Sequence, residues 1–146
     1  MKSSVPFVAR RTVEFSDSDM GGVVHFSRYL VYMETAEHQF LRSRGIEVHA
    51  EFEGRLLSWP RVAIRCEYRQ AARFRDAIDI EVRVLRRGTR SVTYGFRLRR
   101  ADEDLATGEM TAVCCVVDPG TGTLQSVEIP AAIAAAIGEG ERDGTS

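Results

Sequence analysis

The chain has 146 residues, a formal net charge of −1 and 44% hydrophobic residues. That length suits one domain with a sizeable core, burying roughly 68–70% of the unfolded surface. A charge so near zero excludes a global field recruiting nucleic acid or an anionic membrane, and no apolar run reaches a bilayer span. Cys66, Cys114 and Cys115 lack CxxC spacing, which argues against a disulfide framework or a zinc site and fits a reducing compartment. The opening MKSSVPFVARR carries no secretory h-region, so a cytoplasmic location is expected.

In chain order, residues 5–15 alternate as a first strand, with Phe7, Ala9, Val13 and Phe15 on one side. Asp17, Ser18 and Asp19 break the alternation. Gly21 and Gly22 follow, and they permit positive φ and close approach of backbone to a ligand. Ser27 is the expected N-cap of one long helix whose stripe is Tyr29, Met33, Ala36 and Phe40, with Gly45 just past its end. Residues 46–57 show no sustained period and are expected to form a connector, with at most a short turn of helix. After Trp59 and Pro60, four runs alternate as strands. Val62, Ile64, Cys66 and Tyr68 lie on one parity of the first, Ile78 to Val84 on one of the second, and Val92 to Leu98 on one of the third. The fourth, 105–117, is apolar on both parities near its end. The short connections at 86–90 and 101–104 imply an antiparallel meander. Pro130 opens a short alanine-rich helix that Gly138 closes, and 139–146 is a polar tail.

The expected fold is therefore α+β: a five-stranded antiparallel sheet with one long helix across a face, in a single domain over 1–138. One helix cannot cover both faces of such a sheet, so a homodimer or homotetramer is expected.

Two carboxylates on a glycine turn just upstream of a helix are a candidate site. A helix start offers unpaired N–H groups and about half a positive charge, suited to a developing oxyanion. Aspartates in turns also serve simply as backbone acceptors, and spacing alone does not separate these uses. His25 is either a partner of Asp19 or substrate, or an exposed loop histidine. Glu34 and His38 stand at i and i+4, a spacing that serves metal binding less often than surface contact. Arg86, Arg87 and Arg90 crowd a hairpin tip, as phosphate recognition uses or as a solvated turn tolerates. Tyr29 is either core or pocket wall.

The run Phe15 to Phe26 (FSDSDMGGVVHF), followed by Tyr29, resembles the signature of the hotdog-fold acyl-CoA thioesterases of the 4-hydroxybenzoyl-CoA thioesterase type. The likeness continues through Glu34, Ala36, Leu41, Arg42, Gly45, Trp59, Pro60, Tyr68, Phe74 to Asp76, Ser91, Ile129 and Pro130. It implies a hotdog fold, an acyl-CoA substrate and no metal or redox cofactor, coenzyme A entering only as part of the substrate. It implies Asp19 as nucleophile or general base and the Phe26 amide as oxyanion donor. Glu34 becomes the reserve catalyst, because another hotdog subgroup takes its carboxylate from this helix. Ser91, Arg86, Arg87 and Arg90 become candidate coenzyme A contacts. Many members carry His where Phe26 stands, Tyr where His25 stands and often Asn where Arg28 stands. Two other functions belong to the same fold. A hydratase or dehydratase has an Asp-x4-His pattern, whereas five residues separate Asp19 from His25. A non-catalytic acyl-CoA-binding module would not need Asp19.

Overall fold

The computed structural model describes residues 5–141. A five-stranded antiparallel sheet runs in the order β1 (Phe7–Thr12), β5 (Ala77–Arg87), β6 (Ser91–Arg100), β7 (Glu103–Val113), β4 (Arg61–Tyr68). Helix α1 (Arg28–Ser43) lies across one face of it, chiefly over β1 and β5. Its stripe Tyr29, Met33, Ala36 and Phe40 is buried against Ile78, Ile80, Val82, Tyr94 and Phe96 of the sheet, as alternation predicts. Gly108 of β7 permits the close approach of the helix. A Cβ there would stand 2.6 Å from Met33 Sδ and 2.9 Å from the Arg65 carbonyl oxygen.

The structure corrects the expected topology in four places. First, β4 does not begin the meander; it crosses to the far edge and pairs with β7. Val62, Ile64 and Tyr68 are therefore largely exposed although they alternate like core residues, because α1 packs chiefly over β1 and β5. Second, residues 46–57 hold no helical turn. They contain a hairpin of β2 (Glu51–Phe52) and β3 (Arg55–Ser58), whose turn residues Glu53 and Gly54 both have positive φ (52° and 81°), the geometry a two-residue hairpin loop requires. Third, the last run is two strands. β7 stops at Val113, and after Cys114 the strand β8 (Cys115–Val117) joins a second, four-stranded sheet in the order β2-β3-β8-β9, with β9 (Leu124–Ser126). That change of sheet explains the apolar residues on both parities. Fourth, Phe15 is exposed, because the strand ends before it.

Helix α2 (Ala131–Ile137) follows Pro130 and ends at Gly138 as expected, so the fold carries a short second helix and a second sheet beside the long helix. The polar tail stays attached through 141: the Glu141 amide donates to the Val84 carbonyl (2.8 Å) and its carboxylate accepts from Arg83 (2.8 Å). The rest of the tail lies outside the described residues. Among the described residues no helix is long and apolar enough to cross a membrane.

Candidate active site

After Val13, whose amide donates to the Asp76 carbonyl (2.9 Å), the chain winds into one 3-10 turn (Phe15–Asp17). Asp17 is buried. Its Oδ2 accepts from the Glu14 amide (2.9 Å) and the Tyr32 hydroxyl (2.8 Å), and Arg28 Nε lies 3.5 Å from its Oδ1. This first acid ties the turn to α1. Burial first, and then the carboxylate it bonds, push the Tyr32 phenol well above its ordinary range, so it remains a donor.

Asp19 differs. Its Oδ1 accepts from the Gly21 amide (2.8 Å) and at longer range from Val23 (3.4 Å), closing the turn at 19–23, while Oδ2 has no partner among the described residues. Gly22 takes φ 83°, and a Cβ on Gly21 would stand 3.2 Å from Asp19 Oδ1, so both glycines serve the turn that presents the carboxylate. Asp19 is exposed, and it lines an open cleft of about 350 Å³ together with Val23, Val24, Phe26, Tyr29 and Tyr68.

The other wall is the start of α1. The His25 amide donates to the Asp17 carbonyl (2.8 Å), and the Arg28 amide donates to the His25 carbonyl (2.9 Å). A trans peptide points its C=O and N–H in opposite directions, so the Phe26 N–H projects from the helix at its N-terminal end. It meets no acceptor among the described residues. His25 makes no bond to Asp19. Its ring stacks on Phe26 (4.4 Å), and its Nδ1 accepts from the Ser27 amide (3.2 Å) with the Ser27 hydroxyl 2.8 Å away, which leaves the neutral ring's proton on Nε2. The Tyr29 hydroxyl accepts from the Ala72 amide (3.3 Å), fixing its ring as cleft floor.

The remaining candidates lie elsewhere in the chain. Glu34 is about 12 Å of helix rise beyond Phe26, with Arg61 Nη2 at 3.5 Å and His38 Nε2 at 3.9 Å. The arginine hairpin and Ser91 stand at the opposite end of β5, about 33 Å along the strand from Ala77. There Arg87 caps α2 by donating to the carbonyls of Ala134 (2.7 Å) and Gly138 (2.6 Å). Arg90 donates to the Ser126 carbonyl (3.2 Å) and Arg86 to the Thr93 hydroxyl (3.3 Å). Among the described residues no three His, Cys, Asp or Glu side chains gather where a metal ion would be held. Nothing in its own strand marks Tyr68 as a site residue, since its parity with Ile64 and Cys66 is that of a core position. Only the edge position of β4, a long-range fact, brings it to the cleft.

A long helix laid on an antiparallel sheet, with an acid turn at the helix start, is the architecture of a hotdog-fold thioester hydrolase. Residues 13–137 match the thioesterase-like superfamily, and the chain belongs to it. It is 30% identical to the acyl-CoA thioester hydrolase YbgC of Escherichia coli O6:H1 over 112 residues, covering 73% of this chain and 78% of that one. A hypothetical protein from Thermus thermophilus superposes with a TM-score of 0.79 at 31% identity over 89% of this chain and 95% of that one. A 1,4-dihydroxy-2-naphthoyl-CoA thioesterase from Synechocystis superposes with a TM-score of 0.80 at 18% identity over 91% and 96%, a likeness of fold alone.

Proposed function

We propose that the chain is an acyl-CoA thioesterase of the 4-hydroxybenzoyl-CoA type, hydrolysing a small aromatic or short-to-medium-chain acyl-CoA to the free acid and coenzyme A in the cytoplasm. The observation that carries this reading is the shared cleft: Asp19, with one carboxylate oxygen unengaged among the described residues, and Phe26 at the open start of α1 line the same opening. In the proposed reaction the thioester carbonyl carbon is attacked by Asp19 or by a water from which Asp19 takes a proton. Charge gathers on the carbonyl oxygen, where the Phe26 N–H receives it; one such donor contributes about 2.7–4 kcal/mol to the transition state. The C–S bond then breaks and coenzyme A leaves as the thiolate. Direct attack instead leaves a mixed anhydride on Asp19, which one water opens to release the free acid and restore the carboxylate. No step needs a metal or redox group.

Phe26, Tyr29 and Tyr68 give the cleft three aromatic side chains, which favours a planar aromatic acyl group. His25 contributes through its stacking on Phe26. Arg86, Arg87, Arg90 and Ser91 reach a phosphate of this substrate only from a second copy of the chain. A homodimer or homotetramer would also cover Val62 (62% exposed) and Ile64 (47%) on the free edge of β4. Purified protein is expected to release free thiol from a panel of acyl-CoAs, fastest with aromatic acyl groups, and to scatter light as a multimer. No thiol release from any of them would refute the reading.

A further inference from the structure

We infer that Tyr68 is a positioning residue for this hydrolysis: its hydroxyl, by donating to the Phe26 carbonyl, holds the backbone at the start of α1 so that the Phe26 amide stays presented to the cleft. The inference rests on the reading of that amide as the oxyanion donor.

The hydrogen bonds around the helix start carry it. The Arg28 amide donates to the His25 carbonyl (2.9 Å), and the Leu30 amide passes over Phe26 to reach the Ser27 carbonyl (3.2 Å). The Phe26 carbonyl between them takes no backbone donor among the described residues; its partner is the Tyr68 hydroxyl at 2.9 Å. An unpinned carbonyl at a helix start lets the adjoining peptides rock, and the Phe26 N–H would rock with them. Tyr68 is suited to prevent this because it stands on a rigid element. It lies in β4 opposite Ala106 of β7, and its ring rests edge-on against Tyr29 (5.0 Å between centroids, 83°). Tyr29 is in turn fixed by the Ala72 amide. One phenol thus ties the sheet edge to the helix start across the cleft that holds Asp19.

The chemistry of the phenol agrees with a fixed donor rather than a proton carrier. Although the side chain is half exposed, desolvation of its hydroxyl, and next the neighbouring Cys66, push its pKa up to about 12, so it keeps its proton wherever thioesters are assayed. Burial also pushes the Cys66 thiol up, away from nucleophilic use.

The test is Tyr68→Phe, which keeps the ring and removes only the donor, measured beside Asp19→Asn by thiol release from one acyl-CoA. The expected result is a kcat roughly tenfold or more below wild type, with KM within about twofold and an unchanged melting temperature, since remote positioning errors act on the transition state. An unchanged kcat would overturn the proposal. So would a kcat loss accompanied by a matching KM rise or a lowered melting temperature, because Tyr68 would then be only a wall or a prop. A full-activity Tyr68→Phe beside an inactive Asp19→Asn sinks the Tyr68 role and leaves the Asp19 reading standing; the reverse pattern sinks Asp19 and keeps Tyr68.

Discussion

Replacing Arg61 by Met should cost far more stability than deleting an exposed surface charge. Arg61 opens β4, and its Nη2 lies 2.5 Å from Glu37 Oε1 on the buried face of α1, with side-chain exposures of 17% and 2% for the two partners. The same nitrogen is 3.5 Å from Glu34, but that carboxylate is 49% exposed and solvent screens it, so Glu37 decides the outcome. Methionine retains the aliphatic stem and leaves a buried carboxylate without its cation, a change that costs about 3–5 kcal/mol in other proteins. The residual exposure of Arg61 points to the lower end, about 3 kcal/mol. Removing both charges in Glu37→Leu/Arg61→Met should recover stability to within about 1 kcal/mol of wild type, because a packed apolar pair replaces the ions. Urea denaturation at one fixed protein concentration measures both, provided the m-values agree. A loss below about 1 kcal/mol for Arg61→Met, the value of an exposed pair, would refute the reasoning.

Three further outcomes are expected. Gly108→Ala should lower stability by about 1–3 kcal/mol, since the new methyl meets a backbone carbonyl as well as a flexible thioether; an unchanged melting temperature would mean that α1 rides further from β7 than described. Asp76 is pushed up by burial, yet the Arg73 amide and the Arg100 guanidinium outweigh this and hold its carboxyl below the usual range. Its folded-state pKa is therefore depressed, so its contribution is present at neutral pH and is lost as acid takes the pH down through that folded value. Asp76→Asn should flatten the acid limb of the stability–pH curve, and an unaltered limb would contradict the ion pair. Charge reversal at Arg86 or Arg90 should raise KM for acyl-CoA more than it lowers kcat, and an unchanged KM for both would place the phosphate contacts elsewhere.

Local chemistry made most of the fold readable. The 3.6-residue stripe from Tyr29 to Phe40 and the period-2 runs in β5 and β6 describe faces that one neighbouring layer covers, so pattern and burial agree there. Pattern misled wherever a partner far along the chain decides exposure. Val62 and Ile64 alternate as core residues do, yet β4 is the edge strand of the sheet, where no neighbouring layer covers them. The strands β2, β3 and β9 have two to four residues each, too few to establish a period.

The site divides in the same way. Asp19, its glycines and the helix start lie within one short stretch of chain, and their adjacency was legible. Tyr32 and Tyr68 come to the site through the tertiary fold, and nothing in their own neighbourhoods announces the bonds to Asp17 and Phe26. The arginine hairpin reads as a phosphate clamp by composition. The far end of β5, and the α2 carbonyls that Arg87 caps, are long-range facts.

The most direct measurement for the proposed chemistry is the kcat for thiol release from the best acyl-CoA by Asp19→Asn, a substitution that keeps an acceptor for the Gly21 amide while removing the nucleophilic and basic charge. A fall of about 10²–10⁴-fold with the fold intact is the predicted result. Activity close to wild type would contradict it and move the assignment to Glu34.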